Sequence, residues 1–298
     1  MKLFQRTDKA QSTKLPNILI ALALLILVAS YGTWFYFGQT NADRQFWSMI
    51  DTSLKANSYT SSAVQSDNGQ KLEQVIQLSS SQAKAISVSK AIQPGTTVTT
   101  EVIGTPTEEY IRYANIQTDQ VGPSGKKPDY TSLQSVWGKY PDPKPGVTDG
   151  QLYSQAALGI IPIANLNAGQ RQQLIGKMQA AKVYKYDLTA TEKSGLGRTL
   201  TYTVTLNVKG YITVLKDFTS SIGLNQFESV DPKQFDSAQP VQVVMKVNSL
   251  SHQLKELSYG EGARTEKLSG FGSRKILPNE PAESIPLQQL QAQLQAIK

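Results

Sequence analysis

The stretch RTLTYTVTLNV, residues 198–208, constrains the fold of this chain more than any other. Leu200, Tyr202, Val204, Leu206 and Val208 share one parity, while Thr201, Thr203, Thr205 and Asn207 share the other. Side chains of a strand point alternately to its two faces, so this segment reads as a strand with one apolar and one wettable face. Antiparallel sheets are the ones that keep a single wet face, and the dry face must be covered by other elements.

The same texture recurs on both sides. YTSSAVQS, QKLEQVIQLS, KAISVSKAI, TTVTTEVIG and EEYIRYANI are short runs rich in Thr, Val, Ile and Tyr. Asp67-Asn68-Gly69, Ser79-Ser80-Ser81 and Pro94-Gly95 separate them, the pattern of an antiparallel meander. VYKYDLTAT precedes the opening strand, and PVQVVMKV, LKELSYG and TEKLSGFG close the sheet. Helical spacing interrupts the strands. ADRQFWSMIDTSLKAN (42–57) places Phe46, Trp47, Ile50 and Leu54 on one side. Residues 167–181 form a helix capped by Asn167, with Leu174, Ile175 and Met178 as its stripe. YITVLKDFTSSIG puts Tyr211, Val214, Leu215, Phe218 and Ile222 at helical intervals. PLQQLQAQLQAI forms a last short helix opening at Pro286. Residues 117–150 hold most of the mid-chain prolines and glycines and read as a long loop, with a helical turn near 132–137. The expected fold is therefore α+β. A long antiparallel sheet, too long to stay flat, curves into a half-barrel with the helices on its concave face.

A second feature decides where such a domain sits. No charged residue occurs between Lys14 and Asp43, and Asn17 to Gly38 reads NILIALALLILVASYGTWFYFG. About 20 apolar residues cross a bilayer as a helix. Trp34 to Phe37 gather at its end, as in an aromatic belt, and Lys2, Arg6, Lys9 and Lys14 precede it against Asp8 alone. The positive-inside rule places the N-terminus in the cytoplasm. Val28-Ala29-Ser30 would serve as a signal-peptidase site, but the apolar run continues past it, so an uncleaved signal-anchor is the preferred reading. The expected organisation is a cytoplasmic tail (1–16), a transmembrane helix (17–38), an extracytoplasmic domain (39–287, with 117–150 as its long loop) and a short C-terminal helix and tail (288–298). The protein is expected in the cell membrane as a single-pass protein.

The helix ending LKANSYT, the pair TYTVTLNVKGYITVLKDF, and the closing VVMKVNSLSHQLKELSYGEG, EKLSGFG and ILPNEPAESIP resemble LolA-like proteins and the LppX/LprG-type lipid-carrying envelope proteins. The resemblance lies in the order and texture of residues 45–287. It implies a half-open barrel with helices plugging its concave side and an apolar pocket between, which carries lipids or lipoprotein acyl chains or senses the state of the envelope. The chain departs from those lipoproteins in having no cysteine to lipidate.

The chemistry of the chain is sparse. Zero cysteine excludes disulfides, thiol nucleophiles and thiolate metal sites. A net charge of +7 is scattered, without the basic stripe and interleaved aromatics of a nucleic-acid groove, so no nucleic-acid partner is expected. His252, the only histidine, lies in NSLSHQ between two strands and reads as a turn residue, because neither a nucleophile elbow nor a second histidine supports it. Two S-x-x-K matches (Ser81–Lys84, Ser87–Lys90) fall in strand texture, and Glu108 and Glu109, as strand neighbours, point to opposite faces. No enzyme and no cofactor is expected. Ile76, Leu78, Ile86, Val88, Tyr202, Val204, Leu206, Val243, Met245 and Val247 are the candidate ligand-binding residues, lining an apolar pocket, or else packing the helices as an ordinary core. The expected function is non-enzymatic binding of a lipid, an acyl chain or another amphiphile at the membrane. The alternative is an envelope sensor or scaffold that acts on a protein partner.

Overall fold

The computed structural model describes residues 26–27, 30, 41–67, 70–79, 83–91, 95–122, 125–141, 151–163, 165–221, 228–260, 264–273 and 279–297. The cytoplasmic tail and nearly all of the expected membrane helix lie outside them. Among the described residues no helix is long and apolar enough to cross a membrane.

Helix α1 (Ala42–Lys55) starts at Asn41, whose side chain accepts from the Arg44 N–H at 2.9 Å, and it ends with Lys55 in its last turn. Five strands follow as a meander: β1 (Ser58–Asp67), β2 (Gln70–Ser79), β3 (Ala83–Ala91), β4 (Thr96–Gly104) and β5 (Glu109–Thr118). The expected long loop contains a two-residue strand, β6 (Gly138–Lys139). Helices α2 (Gln151–Ala157) and α3 (Ala168–Ala180) lead to the hairpin β7 (Tyr184–Ser194) and β8 (Gly197–Leu206). Helix α4 (Val208–Ser221) precedes β9 (Val241–Asn248), β10 (Leu254–Tyr259) and β11 (Arg264–Ser269), and β12 (Ile285–Pro286) runs into α5 (Leu287–Ala296).

The strands form one sheet in the order β12-β6-β5-β4-β3-β2-β1-β11-β10-β9-β8-β7. Every neighbouring pair is antiparallel except β12 with β6. The first strand of one meander pairs with the last strand of the other, Ser61 opposite Leu268, and joins both halves into an open sheet. This is the α+β arrangement expected and is consistent with a half-barrel.

One face is dry. Leu200, Tyr202, Val204 and Leu206 of β8 are buried with Val243, Met245 and Val247 of β9, and the threonines between them are more exposed. Phe46, Met49, Ile50 and Leu54 of α1 and Tyr211, Val214, Leu215 and Phe218 of α4 complete the same core. Phe46 stacks on Tyr186 with centroids 3.8 Å apart and meets Tyr184 and Tyr202 edge-on, so one aromatic cluster locks α1 across the β7–β8 hairpin. Helix α3 carries the expected cap in full: Asn167 accepts from the Gln170 N–H while Gln170 accepts from the Asn167 N–H, both at 3.0 Å.

The inner face of β3 differs from its hydrophobic pattern. Ala83 and Ala85 are buried there, opposite Leu78 and Ile76, while Ile86 and Val88 point to the outer face, with Ile86 37% exposed. Helix α2 causes the inversion by lying close to this part of the sheet. A Cβ on Gly104 would stand 3.2 Å from Leu152 Cβ and 3.3 Å from Tyr153 N. Only small residues fit beneath such a close approach.

Candidate functional site

The helices leave a gap over the sheet. A cavity of about 510 Å³ lies between β2, β1, β11 and β10 on one side and α1, α2 and the chain following α2 on the other. That volume falls in the range of small-molecule sites.

Strand register arranges its wall in rows. Leu268, Ser61 and Ile76 stand side by side across β11, β1 and β2. One row deeper is Tyr59, beside Leu78. One row outward are Leu257, Glu266, Ala63 and Gln74, and beyond them Tyr259 opposite Arg264. Leu268, Ile76 and Leu78 weight the inner rows toward hydrocarbon, while Glu266, Gln74 and Arg264 make the outer rows polar, so the cavity has a more apolar end and a charged mouth. Ile160, Ile161 and Ile163 close it from above, and Ser53 of α1 reaches it from the inner side.

The roof, residues 158–163 with 165 and 166, belongs to no regular element, and its backbone polar groups need partners. Tyrosines supply them. The Tyr184 hydroxyl donates to Ile160 O at 2.7 Å, and the Tyr211 hydroxyl donates to the carbonyls of Gly159 and Leu158. Tyr59 donates to Ala156 O at 2.9 Å and ties β1 to the end of α2. Backbone bonds from Leu166 to Leu54 O and from Asn165 to Ala56 O pin the segment to α1. At the start of α2, the buried Glu109 carboxylate accepts from Leu152 N at 2.8 Å. Burial raises the pKa of Tyr59, Tyr184 and Tyr211, so all three stay protonated donors.

At the mouth, Glu266 accepts a hydrogen bond from Ser61 and lies 3.9 Å from Arg264, a loose ion pair at the solvent edge. The Arg264 guanidinium rests over the Tyr259 ring at 5.8 Å. Burial, with Glu266 adding to it, pushes the Tyr259 hydroxyl up to about 12. The Gln74 amide donates to Ser87 Oγ at 3.2 Å. The lining thus offers hydrogen-bonding groups at the mouth, a more apolar wall behind them and two hydroxyls further in, that of Tyr59, already donated to Ala156 O, and that of Ser53. Among the described residues no three His, Cys, Asp or Glu side chains stand together as a metal site would require.

Of the candidate ligand-binding residues, Ile76 lines the cavity. Leu78 is buried one row deeper, and Tyr202, Val204, Leu206, Val243, Met245 and Val247 are buried in the core beneath the helices. Ile86 and Val88 lie on the outer face. Most of the lining comes from residues that strand alternation does not single out. Arg264, Glu266 and Leu268 lie in a closing strand with little apolar character, and Ile160, Ile161 and Ile163 lie in no regular element. The run GIIPI, apolar yet broken by Pro162, was the available signal.

His252 occupies the turn between β9 and β10 with a left-handed φ of +52°. It is half-buried, and its Nδ1 lies 2.9 Å from the Gln45 Oε1 of α1, so it fastens the turn to the helix. Burial, and then Arg44, lower its pKa from the usual histidine value. Glu108 and Glu109 diverge: Glu108 bonds Lys139 and Tyr110, and Glu109 turns inward to α2. Ser87 and Lys90 stand on opposite faces of β3. Ser81 lies outside the described residues.

No family model matches the chain. No curated protein matches it. Among solved structures it is similar to the lipoprotein LppX of Mycobacterium tuberculosis, with 11% identity over 80% of this chain and 100% of that one and a TM-score of 0.31. The likeness is at the level of the fold alone.

Proposed function

We propose that the protein is a non-enzymatic binding protein for a lipid or other amphiphile, held at the outer face of the cell membrane by residues 17–38 with its N-terminus in the cytoplasm. The observation that carries this reading is the cavity. A cavity of about 510 Å³, with Ile160, Ile161, Ile163 and Leu268 in its wall and Gln74, Glu266, Arg264 and Tyr259 at its mouth, matches a molecule with an oily body and a polar end. Its filling matters energetically, because a large empty apolar space forfeits dispersion contacts along its whole lining. The charge-free run and its flanking cations support the anchor. A tethered domain cannot travel, so the reading is of local capture or presentation.

Native mass spectrometry of the full-length protein, released from detergent in the spectrometer, tests this. One bound amphiphile per chain is expected. A chain that emerges empty after purification from membranes, and stays empty after incubation with fatty acids or lysolipids, contradicts it. The alternative, an envelope sensor or scaffold, predicts a filled interior and a working outer surface. Val75 and Ile86 form an exposed apolar pair on the outer face in its favour, but two residues make a small patch.

A further inference from the structure

The inner end of the cavity holds a group that a hydrocarbon tail cannot satisfy. Ser53 is 1% exposed and lines the cavity, and among the described residues its hydroxyl has no hydrogen-bond partner. Helical serines usually return such a hydroxyl to the carbonyl one turn back, yet this one does not. A buried hydroxyl left alone costs free energy, and a chain that ends in methyl would seal that cost in. A ligand carrying a hydrogen-bonding atom at its buried end removes it.

We propose that the cavity takes one single-chain amphiphile that is polar at both ends, an acid or comparable head at the mouth and a hydroxyl or similar group meeting Ser53 inside. This rests on the binding reading above and narrows it. Size sets the chain count: about 510 Å³ holds about 17 groups of water size at about 30 Å³ each, enough for one chain of a dozen carbons and too little for two. Length agrees. Arg264 and Leu268 are four residues apart on one strand, about 13 Å at about 3.3 Å per residue. Tyr59 stands one row beyond Leu268 and Ser53, near the end of α1, lines the same cavity, so a medium-length extended chain spans mouth to floor. Arg264, partly exposed and over the Tyr259 ring, supplies the cation for the outer head.

The test uses the full-length protein in lipid nanodiscs and a photoactivatable dodecanoic acid that labels the cavity. Unlabelled dodecanoic acid and its ω-hydroxy derivative compete for labelling, in wild type and in Ser53→Ala. The two competitors partition differently into nanodisc lipid, but that difference cancels in the ratio between the two proteins. Ser53→Ala removes one oxygen and suits a helix, so the variant keeps its fold. The expected result is a preference for the hydroxy acid about five-fold greater in wild type than in Ser53→Ala, the size of one net hydrogen bond. Equal preference in both proteins, with cavity labelling intact, overturns this proposal: a water then serves Ser53, and amphiphile binding stands. Absence of any cavity labelling overturns the binding reading and this inference with it.

Discussion

Ser53 and His252 are two polar residues on the same dry side of the sheet, and their partners separate them. Ser53 has none among the described residues, so removing its hydroxyl removes a penalty. Ser53→Ala is expected to raise the stability of the unliganded full-length protein by about 1 kcal/mol, read as a higher urea midpoint at unchanged slope. A drop of similar size would show that the hydroxyl is satisfied. His252 has Gln45, and its lowered pKa makes the folded state favour the neutral ring. The unfolded chain therefore binds the proton more readily. The stabilising contribution is complete above the unfolded value near 6.5, and it is lost as pH falls through the lower folded value. Asp43, Arg44 and Asp51 share the surface depression beside the ring, and Arg44 acts in the same direction as burial. His252→Asn keeps a side chain that tolerates positive φ and abolishes the titration. The variant should lose less stability than wild type between pH 7.5 and 5.5, measured by urea unfolding. Identical losses in both proteins would assign the pH dependence to other groups.

At the scale of elements, β3 shows where pattern and packing part. Its hydrophobic residues, Ile86 and Val88, were the natural choice for the inner face, and the structure puts Ala83 and Ala85 there because α2 comes so close. Size, not hydrophobicity, selects the inner residues of this strand. Ala85→Leu is accordingly expected to destabilise by about 1–3 kcal/mol through overpacking. Ile86→Thr, which keeps strand propensity on an exposed face, should change stability by less than about 0.5 kcal/mol. Thermal unfolding of the two variants decides the face, and a reversed order would return Ile86 to the interior. The β8–β9 pair behaves differently. Tyr202, Val204 and Met245 face inward as alternation predicts, but α1 and α4 fill the space above them. Here the correct face leads to core and not to cavity.

Across the whole molecule, element order was legible because each element carries its own period. RTLTYTVTLNV alternates by two, and the helix capped at Asn167 announces its start. Two kinds of feature were not legible. The parallel pair β6–β12 is two residues long on each side, too short to leave a pattern, and it joins positions about 147 apart, as Gly138 opposite Ile285 shows. The cavity is a volume left over between layers, and only Ile76 among the expected residues reaches it. Its other walls come from β10, β11 and an irregular roof held by Tyr184 and Tyr211, contacts that join residues far apart in sequence. The central claim is that this space binds an amphiphile. It is tested most directly by mapping, peptide by peptide, where a photoactivatable dodecanoic acid attaches to the full-length protein. Labelling is predicted in 160–163 and 254–268, and it should fall several-fold in Leu257→Trp, whose larger side chain narrows the space. Labelling confined to the outer face around Val75 and Ile86, or unchanged by Leu257→Trp, would contradict it.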